Sequence, residues 1–180
     1  QYSYLRDELT LWDAQTPLAA EPWSVEAPSA LFPLTSARLI DLRARCRVAP
    51  LLHGAGLSST GDPSLDALLP LPEPYRIPSA TFEAVREARR KGKRVIAWGT
   101  TVARALESAG ETGRLEGMAE LRLGRDRPAR FVDGLITGVH EPGTSHYALE
   151  EAFVSSEVLA ASYAAARGAV SSRLRREATH

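Results

Sequence analysis

Two short apolar runs set the limits on what this chain can become. The first, Arg94-Val-Ile-Ala-Trp98, breaks into Gly99-Thr-Thr101 and then into the helix-forming Val102-Ala-Arg-Ala-Leu-Glu-Ser108. The second, Phe131-Val-Asp-Gly-Leu-Ile-Thr137, breaks into Gly138-Val-His-Glu-Pro142. Each has the length of a strand and ends in residues that serve turns and ligands rather than cores. In an open α/β sheet, ligands bind beyond the carboxyl ends of the strands. Two such ends in one short chain predict one shared crevice.

Size and charge narrow the class. The 180 residues, 44 % of them hydrophobic, suffice for one globular domain or one plus a short appendage. No apolar run approaches the roughly 18 residues of a membrane span. Gln1-Tyr-Ser-Tyr-Leu-Arg6 has no basic head followed by an apolar core, so no signal peptide is expected. The missing initiator Met suggests a chain cut from something longer. Cys46 is the single cysteine, which excludes an internal disulfide and predicts a cytoplasmic protein. Lys+Arg and Asp+Glu both total 22, which weighs against a wide polyanion-gripping face. Six basic residues and one acid do gather between Arg86 and Arg94, and four arginines and one glutamate from Arg167 onward. These read as a solvated helix face and a terminus, or as nucleic-acid docking patches.

Proline usage divides the chain. Ten of the twelve prolines fall between Pro17 and Pro78. Residues 1–35 therefore read as an extended, Pro-rich segment, residues 36–167 as one α/β domain, and residues 168–180 as a polar basic tail. A helix is expected over 35–46, capped by Thr35 or Ser36, with Leu39, Ile40 and Leu42 on its apolar side. A buried strand over 47–53 leads into Gly54-Ala-Gly56, and a long five-proline loop covers 61–78. Ser79 opens a helix that Gly92 stops; Phe82 and Val85 line its inner side. A strand over 94–98 precedes a helix over 101–109 that Gly110 ends. Strands over 120–123 and 130–137 flank a turn at Gly124-Arg-Asp-Arg-Pro128, and helix follows from Ser145 with a break at Ser155-Ser156. Strands alternating with helices predict a mostly parallel sheet flanked by helices.

Several residues carry candidate chemistry. Gly99, Thr100 and Thr101 stand where a strand becomes a helix, so free N–H groups and two hydroxyls suit a carboxylate or phosphate; the alternative is an ordinary capped turn. No Gly-Lys-Ser/Thr follows, and Gly54-Ala-Gly56 lacks the third glycine of a dinucleotide fingerprint. Arg104 and Glu107 lie three apart on one helix side: a surface ion pair, or a guanidinium clamp near the anion site. His140 and His53 each follow a strand and can move protons near neutral pH, or can be plain loop histidines. Asp133 in an apolar strand either faces solvent at an edge or is held by a partner in the site. His146 and His180 read as helix surface and tail. Cys46 has no adjacent histidine, and the scattered His and Cys residues lack metal-ligand spacing, so no metal is expected. Trp98 reads as core, and Trp12 and Trp23 as packing under loops.

The order of these motifs resembles the C-terminal half of the S-adenosylmethionine:tRNA ribosyltransferase-isomerase family. The carriers are Tyr75-Arg-Ile-Pro78, Gly99-Thr-Thr101 with Arg104-Ala-Leu-Glu107, and Asp133-Gly-Leu-Ile-Thr137 with His140. Ala14-Gln-Thr16, Glu21-Pro22, Ser24-Val-Glu-Ala-Pro-Ser-Ala30 and Leu51-Leu-His53 extend the likeness through most of the chain. The resemblance implies that S-adenosylmethionine is a substrate, with no separate cofactor. Its ribose would be moved and rearranged onto 7-aminomethyl-7-deazaguanine in tRNA, giving epoxyqueuosine in queuosine biosynthesis and releasing adenine and methionine. His140, His53 and Asp133 would then be the catalytic candidates, and Ser29, Gly99, Thr100, Thr101, Arg104, Glu107 and Thr137 the substrate-binding ones.

The departures are specific. The family's Gly-Leu-His-Phe-Thr becomes Leu31-Phe-Pro-Leu-Thr35, and its Met-His-x-Glu becomes Leu71-Pro-Glu-Pro74, so two histidines are missing. Thr-Asn-Phe-His-Leu-Pro becomes Thr137-Gly-Val-His-Glu-Pro142 without the asparagine. The family's inserted β-barrel domain and its last Phe/Tyr-Gly-Asp strand have no counterpart here. These losses leave two further readings beside the enzyme: a repurposed paralogue that binds an adenosyl nucleoside, and an inactive fragment.

Overall fold

The structure is a computed structural model that describes residue 8, residues 10–16 and residues 18–177. Pro17, His180 and the first seven residues lie outside the described residues, and with them the expectations placed there. Two 3-10 helices, Leu11–Ala14 and Ser29–Leu31, punctuate the Pro-rich start. The regular elements then run α1 (Ser36–Arg45), β1 (Leu52–His53), α2 (Pro63–Asp66), β2 (Glu73–Arg76), α3 (Ser79–Arg90), β3 (Ile96–Trp98), α4 (Thr100–Thr112), β4 (Glu116–Ala119), β5 (Gly134–Ile136), α5 (Ser145–Glu150) and α6 (Ser156–Glu177).

The expected mostly parallel sheet is replaced by two small sheets of opposite character. β1, β2 and β4 form an antiparallel sheet, with His53 opposite Tyr75 and Glu73 opposite Ala119. Only β3 and β5 pair in parallel, Ile96 with Gly134 and Trp98 with Ile136. The extent of β4 is set by one side chain. Arg104 takes the carbonyls of Ala119 and Leu121, so the expected strand over 120–123 does not pair and β4 ends at Ala119. The class is mixed α/β.

α4 is the centre of the packing. Ala103, Ala105, Leu106 and Ala109 are buried in it, against Ala97, Tyr75, Ile77, Val85, Val95, Ala119 and Val132. Its small alanines let both sheets approach the helix closely, and the burial of Leu106 alone is worth about 1.5–3 kcal/mol. Gly110 does not end this helix. It lies inside it because a Cβ there would collide with the Phe131 ring, and the helix ends instead at left-handed Gly113. The Phe131 ring is itself stacked on Phe82 of α3, with centroids 5.7 Å apart.

The peripheral helices follow local signals. The Thr35 side chain accepts from the Arg38 amide at the start of α1, and Thr144 does the same for Tyr147 at the start of α5. α1 buries none of its residues, and Ile40 on its expected apolar side is 71 % exposed. α5 and α6 break at Ser155, as the sequence predicts, and α6 continues across the expected boundary at residue 167.

Candidate functional site

The carboxyl ends of β3 and β5 and the end of β1 do open onto one cavity, of about 540 Å³. That volume suits a nucleoside-sized ligand. Ser29, His53, Gly99, Thr100, Thr101, Thr137 and His140 all line it, so seven of the ten candidate residues share one space. Gly99 makes the turn at the N-terminus of α4 with φ of 113°, a conformation that L side chains rarely adopt. Its own amide donates to Ile136 O, and no side chain caps the helix start. Thr100 and Thr101, both buried, form the first residues of α4 and line the cavity.

The nearby glycine loop has the opposite character. Gly54 N donates to Pro74 O, Ala55 N to Ser24 Oγ, Gly56 N to Glu73 Oε1 and Ser58 N to Glu26 Oε1. Its amides are turned into the protein, so the loop is a wall and not an anion cradle. Glu26 and Glu73, both buried, were missed by sequence reasoning; only their proximity to a glycine loop in space identifies them.

Three candidates stand apart from the cavity. Arg104 is 2 % exposed; its guanidinium bonds Glu73 Oε2 at 2.5 Å and the carbonyls of Leu71, Ala119 and Leu121. Burial pushes the Glu73 carboxyl up, and the guanidinium opposes it. The fork is directed at Glu73 and these carbonyls, not at Glu107 and not into the cavity. Glu107 is buried and accepts the amides of Arg130, Phe131 and Val132, fixing the approach to β5. Asp133 accepts the Val95 amide at 2.8 Å while its own amide donates to Val95 O, which adds a rung to the β3–β5 ladder. It is exposed, at the far end of β5 from Thr137.

The two candidate histidines are held neutral. Burial lowers His53 to about 4, and its buried Nδ1 has no hydrogen-bond partner among the described residues. His140 is also lowered to about 4, by burial and then by His146, whose ring centroid lies 4.8 Å away. His140 Nε2 stands 3.0 Å from Thr137 Oγ1. His146, expected on a helix surface, lines the cavity too, and burial followed by the charge of Arg104 lowers it.

Trp98 also lines the cavity rather than the core, and its indole N–H donates to Ala30 O at 2.5 Å. This bond fixes residues 28–32 as the opposite wall. Trp12 is exposed, and Trp23 lies under the Arg76 guanidinium, 4.9 Å from the ring centroid. Among the described residues no three His, Cys, Asp or Glu side chains gather as metal ligands, and no helix is long and apolar enough to cross a membrane.

Comparison with known proteins places this geometry in a lineage. A family model described as queuosine biosynthesis protein matches residues 3–175. An S-adenosylmethionine:tRNA ribosyltransferase-isomerase of Thermus thermophilus is 37 % identical over 163 residues, covering 86 % of this chain and 47 % of its own length. The protein of that name from Geobacter sulfurreducens is 34 % identical over 171 residues, covering 89 % and 50 %. In fold, the chain is similar to the crystal structure of S-adenosylmethionine tRNA ribosyltransferase from Thermotoga maritima. There the TM-score is 0.61 at 24 % identity, over 80 % of this chain and 46 % of the other. The chain thus spans about half the length of the curated relatives it matches. With its motifs in order and its strand ends meeting in one cavity, the chain belongs to the queuosine biosynthesis protein family.

Proposed function

We propose that this chain carries the site that takes S-adenosylmethionine as ribosyl donor, for transfer and isomerisation onto 7-aminomethyl-7-deazaguanine in tRNA. The observation that carries the reading is the cavity itself: an uncapped helix N-terminus with two threonines, facing two neutral imidazoles. The α4 N-terminus would hold the methionine carboxylate, since amides and helix dipole both favour an anion there. His140 or His53, neutral at physiological pH, would remove the proton next to the sulfonium and then return it to the departing adenine. Ser29 and Thr137 would bind the ribose or the base. S-adenosylmethionine is consumed as a substrate, so the reaction needs no separate cofactor. The α/β unit of residues 36–167 supplies the chemistry and residues 26–32 one wall. A tRNA substrate implies a cytoplasmic protein.

Calorimetric titration with S-adenosylmethionine, with adenosine and methionine as partial ligands, tests this. Saturable binding is expected, weakened about 2- to 10-fold by Thr100→Ala or Thr101→Ala, the range of one lost hydrogen bond. No binding at millimolar ligand overturns it. A second reading, an adenosyl-binding paralogue without turnover, is favoured by one observation. Leu31 and Phe32 line the cavity where the family pattern carries Gly and Leu, followed by a histidine that Pro33 replaces here. Binding without ribosyl transfer to tRNA, in a chain extended to full family length, selects that reading.

A further inference from the structure

His140 does not stand alone in its loop. Behind it, away from the cavity, α5 and α6 bring together two buried groups that the proposed reaction leaves unused. The backbone amide of His140 donates to the Tyr163 hydroxyl at 2.8 Å. Having accepted there, that hydroxyl donates to the Glu150 carboxylate, 3.0 Å from Oε1 and 3.1 Å from Oε2. Glu150 Oε1 lies 3.8 Å from His140 Nε2, the nitrogen that also meets Thr137 Oγ1. Glu150 and Tyr163 are 6 % and 9 % exposed and do not line the cavity, whereas Thr137, His140 and His146 do. Tyr163 is braced in turn by the edge of the Tyr147 ring, 5.4 Å between centroids.

A neutral imidazole carries one proton, and its neighbours decide which nitrogen keeps it. A carboxylate beside Nε2 repels a lone pair there and attracts an N–H, and in a buried site that preference is strong. We propose that Glu150, locked by Tyr163, is a positioning residue that selects the Nε2–H tautomer of His140 and leaves Nδ1 as the lone-pair nitrogen. Nε2–H then donates to Thr137 Oγ1, which fixes the ring. When Nδ1 takes up a proton, the carboxylate behind the ring steadies the imidazolium. The other titratable groups around the ring are His146 from α5 and, on other walls of the same cavity, His53, Asp13 and Glu26. Among the described residues, Glu150 is the acid that lies within 4 Å of Nε2.

The role of Nδ1 in proton transfer rests on the ribosyl-transfer reading; the tautomer does not. The test is a long-range proton–nitrogen correlation spectrum of the full chain carrying ¹⁵N-histidine, at pH 8 and without ligand. His140 is identified as the ring lost in His140→Gln. The expected wild-type pattern is Nε2–H, with loss of that single form in Glu150→Gln and a mixture of tautomers in Tyr163→Phe. A wild-type Nδ1–H pattern overturns the proposal without recourse to any variant. So does an unchanged tautomer in a folded Glu150→Gln chain. Failure to bind S-adenosylmethionine by a chain whose His140 is Nε2–H overturns the ribosyl-transfer reading and leaves this one standing.

Discussion

Arg104 illustrates how a residue of the right type can be absorbed by the scaffold. Its guanidinium holds β2, β4 and the segment after β4 together, with Glu73 as counter-ion. Removing it leaves a buried carboxylate unpaired, so Arg104→Ala is expected to cost about 3–5 kcal/mol in urea unfolding. Thr100→Ala should leave stability near wild type while weakening ligand binding. His53 supplies a second prediction. Folded, it holds a proton only below about 4, against 6.5 for an ordinary histidine. Between those values the unfolded chain binds more protons, so stability falls as pH drops through the window, by about 3 kcal/mol for this residue. His53→Gln should flatten that slope in urea titrations at pH 4–7. Residue type and position at strand ends placed Thr100, Thr101, His53 and His140 together in the sequence, and they do line one cavity. Arg104 and Glu107 lie outside that cavity because helical spacing says nothing about which way a helix face is buried, and Asp133 because it sits at the far end of β5. Glu150 and Tyr163 carried no signal at all, since 13 and 23 positions separate them from Tyr163 and His140 respectively.

Elements were legible where a local cap or breaker wrote them. Thr35 and the Ser155-Ser156 pair mark helix starts in both sequence and structure, and the helix expected from Ser145 begins there, capped by Thr144. Strand partners were not, because pairing depends on side chains from elsewhere, as the end of β4 shows. Gly110 failed as a stop signal for a related reason: it is glycine to admit the Phe131 ring. Gly110→Ala should therefore destabilise by up to about 2 kcal/mol in thermal unfolding, an overpacking cost of about 1–3 kcal/mol less the roughly 1 kcal/mol gain in helix propensity. α1 is the converse case, a helix by capping and propensity that buries nothing. Ile40→Glu is expected to change stability by less than about 0.5 kcal/mol, and the α1 amides should exchange early.

Taken as a whole, the molecule separates its basic patch at residues 86–94 from its cavity. β3 runs toward the cavity, so Arg94 and Lys93 lie beyond its far end, roughly 16–20 Å from Gly99 at the rise of an extended strand. That exceeds the screening length of about 8 Å at physiological salt. Lys93→Glu with Arg94→Glu should leave S-adenosylmethionine binding within about 2-fold by calorimetry, while any retention of tRNA through this patch falls. The walls of the cavity, by contrast, come from opposite ends of the chain. Residues 26–32 are tied across 68 positions by the Trp98–Ala30 bond, and His140 waits on Tyr163 for its anchor. Contacts of such separation form slowly, because loop closure must precede their reward. During synthesis, then, the core around α4 can collapse early, whereas the anchor on the His140 amide forms only after residue 163 has been made and docked. The cavity wall at His140 is therefore completed later than the core on which it rests.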